Sequence, residues 1–219
     1  MTPIDTNPIN IIILLGLLSL LPVIFIMTTS FVKISMVLIL TRESLGVQQI
    51  PPNIVIYSLS VILSFYVMGP VYNDMMGTLS DASTSSTVNN KSLVQNFQAS
   101  SGHIKTFLFA HTPTNEKEFF YQSIKRFWTP EMVAKVKKDD LIILVPAFMV
   151  SEITSALKIG FLIYLPSVMI DIIVSNILMA MGMMMMSPVT ISLPIKILLF
   201  TALNGWSRLI HALLSSYLH

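Results

Sequence analysis

Four ionisable side chains stand in stretches otherwise built almost entirely from Ile, Leu, Val, Phe and Met: Glu152, Lys158, Asp171 and Lys196. A charged group facing lipid at membrane depth costs several kcal/mol, so such groups turn toward protein, water or one another. Two kinds of chemistry suit them, structural charge neutralisation and a proton or ion relay, and neutralisation is the plainer reading. Glu152 and Lys158 are six residues apart, which is not the spacing of neighbours on a helix face, so each needs a partner on another helix or another subunit. Asp171 and Lys196 are separated by Pro188 and Pro194, and a bend there lets them pair, either within one chain or between copies.

No catalytic constellation accompanies these charges. His103, His111, His211 and His219 are scattered, no Gly-rich phosphate loop occurs, and the acidic residues form no pair in an apolar setting. The chain has no cysteine, which excludes disulfides, thiolate metal sites and a thiol nucleophile. Neither an enzymatic activity, a metal nor a cofactor is expected.

The second notable pattern is the run from Met179 to Met186, with six methionines in eight residues. Methionine is unbranched and adaptable in shape, so a ring of Met183, Met184, Met185 and Met186 could close around a passage and still reshape when a polypeptide goes through. Such a constriction also blocks water and ions by dewetting. The competing reading is an ordinary core or lipid-facing stripe. Ser187-Pro188 directly after the run favours a loop pointing into a lumen.

The elements that must position these residues follow from composition. The chain has 219 residues, of which 53% are hydrophobic and only 11% charged, and its mean hydropathy is +0.75. That is far outside the range of soluble domains and indicates an integral membrane protein. A net charge of +2 gives no support for nucleic-acid binding. Charges divide the sequence into three parts. Residues 1–72 hold only Asp5, Lys33, Arg42 and Glu43, and residues 141–219 are again apolar, whereas 73–140 form a hydrophilic insert.

Residues 11–28 are long enough for a first spanning helix. Residues 31–40 hold Lys33 and are either its extension or a separate piece packed against protein. Arg42, Gly46 and Pro51-Pro52 mark a turn, and the positive charges of Lys33 and Arg42 put it on the cytoplasmic side. Residues 53–72 then return across the membrane, leaving the N-terminus and the insert outside. Met1 to Asn10 contains neither Lys nor Arg, so the first apolar segment is expected to be retained and not cleaved as a signal.

In the insert, residues 80–92 have the composition of a surface loop, and 94–110 and 116–137 have the spacing of one or two amphipathic helices. Residues 141–163 and 165–186 read as two apolar helices parted at Pro166. Residues 189–203 form a shorter piece, re-entrant or part of a bent hairpin, with Trp206, Arg208 and Tyr217 as interfacial anchors. The fold class is all-α, built of broken or bent helical hairpins of integral membrane type around a small helical hydrophilic insert.

Several blocks resemble one known family. The stretch VPAFMVSEITSALKIGF at 145–161 is similar to the signature of the FliP/SctR family, and LPSVMIDIIVSNILMAMGMMMMSP at 165–188 resembles its Asp-containing helix and methionine loop. ISLPIK at 191–196, Gly205-Trp206, TSFVK at 29–33 and LGVQQIPPN at 45–53 also fit. The resemblance covers both apolar parts and leaves the insert unmatched. The retained N-terminus and the Gln48-Gln49 loop look injectisome-like, not flagellar.

The resemblance implies a core subunit of a type III protein secretion export gate in the bacterial inner membrane. Five copies would form a homo-oligomeric funnel with SctS/FliQ-like and SctT/FliR-like subunits, beside an SctU/FlhB-like switch protein. Unfolded secreted substrates would pass through a multi-pass assembly raised toward the periplasm, closed by a gasket at Met183, Met184, Met185 and Met186, with Asp171 and Lys196 as the family's helix acid and downstream lysine. The reading from another class is a secondary transporter or ion channel working through Glu152, Lys158 and Asp171. No internal repeat of the kind transporters carry is visible.

Overall fold

A computed structural model describes residues 8–47, 49–83, 102–183 and 185–218, and no strand occurs among them. The helix α1 (Pro8–Thr28) is apolar along its length and continues through Pro22. Its end is marked by hydroxyls that turn back on their own backbone, Thr28 Oγ1 donating to the Ile24 carbonyl and Thr29 Oγ1 to that of Phe25, a local bond that competes with helix continuation. The chain then bends by 69° into α2 (Phe31–Ser44). The piece around Lys33 is therefore a separate helix packed against protein, and Ile34, Val37 and Leu38 on it are fully buried.

Arg42 closes the turn after α2. Its Nη1 donates to the Pro51 carbonyl at 3.2 Å and to Asn53 Oδ1 at 2.6 Å. Lys33 and Arg42, the two charges expected to hold this turn in the cytoplasm, are both buried. Residue 48, in the Gln48-Gln49 pair, lies outside the described residues.

From Asn53 the helix α3 (Asn53–Ser83) runs on through Pro70, past the expected end of the span at residue 72 and four residues into the stretch expected to be loop. The rest of that loop, and the start of the helix expected from 94, fall outside the described residues. The insert resumes with α4 (102–111), α5 (Thr114–Phe127) and the single turn α6 (Pro130–Val133). It is tied together by Lys105 with Asp139 at 2.8 Å and by Lys138 with Glu118 at 2.7 Å.

The next element corrects the sequence reading. Leu141–Ala180 is one helix, α7, of 40 residues that contains both Pro146 and Pro166. Asp140 caps its start in extended conformation and bonds Lys105 at 3.5 Å, which joins the insert to the base of the helix. After the methionine turn come α8 (Pro188–Ala202) and α9 (Gly205–Ser215), bent by 61°. Asn204 makes that bend with φ +51, a left-handed conformation that Asn tolerates better than most residues.

Helix α2 lies along α7 in the same direction, with Lys33 level with Glu152 and Leu40 level with Gly160. The close approach depends on glycine. A Cβ on Gly160 would lie 3.1 Å from Leu40 Cβ and closer still to its Cδ1. One buried cluster joins Ile34, Val37 and Leu38 of α2 to Ile56 and Leu63 of α3, Ala156 of α7, and Leu209 and Leu213 of α9. A second joins Met68, Phe107, Leu108, Leu144, Phe148 and Tyr217. The two apolar parts of the sequence thus share their cores, and the insert contributes Phe107 and Leu108.

By length and composition, Asn53–Gly77 and Leu141–Ala180 are each able to cross a membrane, and up to four spans result if each bent pair counts as one.

Candidate functional site

Two arrangements carry the chemistry. The first surrounds Glu152, buried on α7. Lys33 on α2 brings Nζ to 3.8 Å from Glu152 Oε1, and the Tyr217 hydroxyl donates to Oε2. Lys33 Nζ also stands 4.2 Å from the centre of the Tyr217 ring, so the ammonium is held by a carboxylate and by the negative face of an aromatic. His111 stacks on Phe107 with ring centres 4.3 Å apart and lies 2.9 Å, through Nδ1, from the Phe107 carbonyl. These groups wall a polar cavity of about 230 Å³ to which Ser151, Ser155 and Ser216 add hydroxyls. Such a chamber is large and polar enough to hold water.

The second arrangement is at the far end of α7. Lys196 on α8 donates from Nζ to Asp171 Oδ2 at 2.6 Å, joining the helices on either side of the methionine turn. The lysine is the enclosed partner, with 6% of its side chain exposed against 39% for Asp171. Between these helices Gly182 takes φ +74, a region that L side chains adopt only with strain, so the chain reverses there. Met181, Met183, Met185 and Met186 all stand at the surface, Met185 completely. Met184 lies outside the described residues.

The four sequence-flagged charges therefore separate. Glu152 and Asp171 have partners within the chain, each a lysine from another helix, while Lys158 is exposed and has no ion pair among the described residues. Lys33 and Tyr217 were not among the flagged residues. Lys33 showed itself only as a charge in an apolar helix. Tyr217, read as an interfacial anchor, is 9% exposed, and no local signal ties it to a residue sixty-five positions earlier in the sequence. Trp206, expected as an interfacial anchor, packs edge-on against Phe200. Among the described residues no group of acidic residues or histidines could hold a metal ion.

A long apolar helix, a second one broken around methionines, and charges neutralised across helices define a membrane-type helical protein. Comparison with known proteins gives the kind. Residues 14–213 match the model of the FliP family. The chain is 51% identical to Yop proteins translocation protein R of Yersinia pestis over 96% of its own length and 97% of that protein. It is 44% identical to harpin secretion protein HrcR of Erwinia amylovora, over 97% of each, and 41% identical to virulence protein YscR of Salmonella typhimurium, over 96% and 97%. The chain belongs to the FliP family, and within it to the SctR type of type III secretion. It is a component of the secretion apparatus and not an enzyme.

Proposed function

We propose that this chain is a pore-forming subunit of the export gate in the bacterial inner membrane, through which unfolded substrates cross, and that Met183 to Met186 close the passage between transport events. Five copies assemble with FliQ-like and FliR-like subunits, next to an FlhB-like switch protein, into a multi-pass funnel that projects toward the periplasm with the insert on that side.

The observation that carries this reading is the exposed methionine turn at the end of α7. Forty residues make a rod of about 60 Å, twice the roughly 30 Å of hydrocarbon in a bilayer. Its sides are apolar and open, with Phe161, Leu162, Ile172 and Ile173 each more than half exposed. A rod that long cannot bury its whole flank in lipid, so the remainder needs sister proteins, and the methionines at its tip come together where copies meet. Flexible thioethers there supply a seal that conforms to whatever passes. The ion-carrier reading is weakened by the pairing of Glu152 with Lys33 and of Asp171 with Lys196, because charges neutralised within the chain are not free to accept and release ions.

The test is replacement of Met183, Met184, Met185 and Met186 by Ala in cells that assemble the apparatus. The expected result is a membrane leaky to small ions with assembly preserved. An assembled complex with unchanged conductance removes the gasket role.

A further inference from the structure

The methionine turn has a chemistry that closing a passage does not use. A thioether sulfur is a soft, uncharged donor, and soft donors select Cu(I), whereas carboxylates and carbonyls suit hard cations such as Mg²⁺ and Ca²⁺. From residue 172 to residue 195 the chain holds no Asp, Glu, His or Cys. The turn therefore offers sulfur to a soft ion and no charged or imidazole ligand to a hard or borderline one.

The backbone brings these sulfurs' stems together. Gly182 N donates to the Met179 carbonyl and Met183 N to that of Leu178, both at 3.0 Å, and Gly182 has φ +74. That is the paired bonding by which a helix ends in a fixed reversal on glycine. Met181 and Met183 flank the glycine, so their α-carbons are at most about 7.6 Å apart, two steps of about 3.8 Å. A second turn follows directly: Met186 N donates to the Met183 carbonyl at 3.2 Å, which brings those two α-carbons within about 7 Å. Met183 thus belongs to both turns, with a methionine in short reach on either side. Unbranched side chains with three rotatable bonds span such gaps.

The turn is also open to an ion and electrostatically suited to a cation. Met181, Met183 and Met186 are 60%, 38% and 43% exposed, and a Cβ on Gly182 would meet nothing within 4 Å. The reversal caps the C-terminal end of α7, where the aligned peptide dipoles favour positive charge. Met132 and Met169 are equally exposed, but neither has another methionine within four residues.

We propose that Met181, Met183 and Met186 form a binding site for Cu(I), three thioethers gathered on one ion and tying the two turns together. The site is complete within one chain, so it depends neither on copies meeting nor on the gasket role.

The full-length chain, purified in detergent without oxygen, is titrated with Cu(I) in competition with a coloured Cu(I) chelator. One ion bound per chain is expected, with an affinity that stays constant from about pH 5 to about pH 8, because a thioether carries no proton to displace whereas imidazole and carboxylate ligands weaken in acid. Zn²⁺ should not compete. Leucine matches methionine in volume and apolarity, so Met181→Leu, Met183→Leu and Met186→Leu remove sulfur and keep the bulk. Each should weaken binding roughly tenfold or more, as even the loss of a supporting group does around metals. The three together should abolish it, and Met169→Leu should leave it unchanged. X-ray absorption at the copper edge of the unsubstituted chain, which needs no variant to fold, should show sulfur neighbours alone. An unsubstituted chain that does not bind Cu(I), binding that survives the triple substitution, an affinity that falls in acid, or nitrogen or oxygen around the copper each overturns the site. The conductance test of the gasket stands apart from all of these outcomes.

Discussion

Glu152 divides its two carboxylate oxygens between elements far apart in sequence: Oε2 accepts from the Tyr217 hydroxyl and Oε1 faces Lys33 Nζ at 3.8 Å. One acid therefore ties α2 and the segment after α9 to the body of α7, and its loss touches three elements at once.

Breaking this cluster from one side should be expensive. Lys33→Met leaves the Glu152 carboxylate buried without its counter-ion, which costs about 3–5 kcal/mol. Lys33→Met combined with Glu152→Gln removes both charges and should recover most of that loss. Thermal unfolding of the purified protein in detergent compares the three. A double variant no more stable than Lys33→Met alone would show that the charges do not depend on each other.

The Asp171–Lys196 pair should respond asymmetrically. Asp171→Asn strands an ammonium whose side chain is only 6% exposed, whereas Lys196→Met leaves a carboxylate that is 39% exposed overall, with its Oδ1 already buried without a partner. The first should cost roughly 1–3 kcal/mol and the second under about 1 kcal/mol. Equal losses, or the reverse order, would contradict the burial that distinguishes the partners.

Gly160 offers a steric test of the α2–α7 contact. Gly160→Ala drives a methyl into Leu40 and should destabilise by about 1–3 kcal/mol. Leu40→Ala in the same chain opens the space and should return part of the loss. Stability unchanged by Gly160→Ala means that the helices can part at that point without penalty.

In the insert, Lys138 beside Glu118, helped by Gln122, holds that carboxyl below the usual range, and Lys105 does the same for Asp139. Carboxyls with depressed values contribute above their ordinary range and lose that contribution as pH falls through the depressed value. Lys105 and Lys138 are raised by the same bonds, so their contribution is full below the ordinary lysine value and goes only as pH climbs through the raised one. Amide hydrogen exchange, corrected for intrinsic rate, should show α5 and α6 best protected in the neutral range and loosened in acid. Lys138→Met should flatten the acid limb at α5. An acid response identical with and without Lys138 would rule out this pair as its source.

Composition was enough to read the all-α, membrane-type character, because charge is so sparse in both apolar parts that few other folds accept them. The separate helix at Lys33 was among the sequence alternatives for the same reason, whereas the bend before Gly205 was not foreseen. What the sequence reading missed came from proline. Pro70 and Pro166 look like helix ends locally, since each lacks a backbone donor, yet α3 and α7 run straight through them. Long apolar helices with packed neighbours on either side of the break can absorb one missing bond. The pairing of charges was legible only where two prolines advertised a turn, between Asp171 and Lys196. The Glu152 cluster was hidden because its partners lie 119 residues before it and 65 after it, distances over which periodicity carries no information.

Asp140, which caps α7, is gripped by Lys105 of the insert, and the opposite tip of the same helix bears the methionines. On the gate proposed above, this helix would act as a push-rod, a tilt imposed on the insert at one end being delivered, by leverage, as a sideways displacement of the methionine turn at the other. A partner that leaned on the insert would then move that turn without ever touching it.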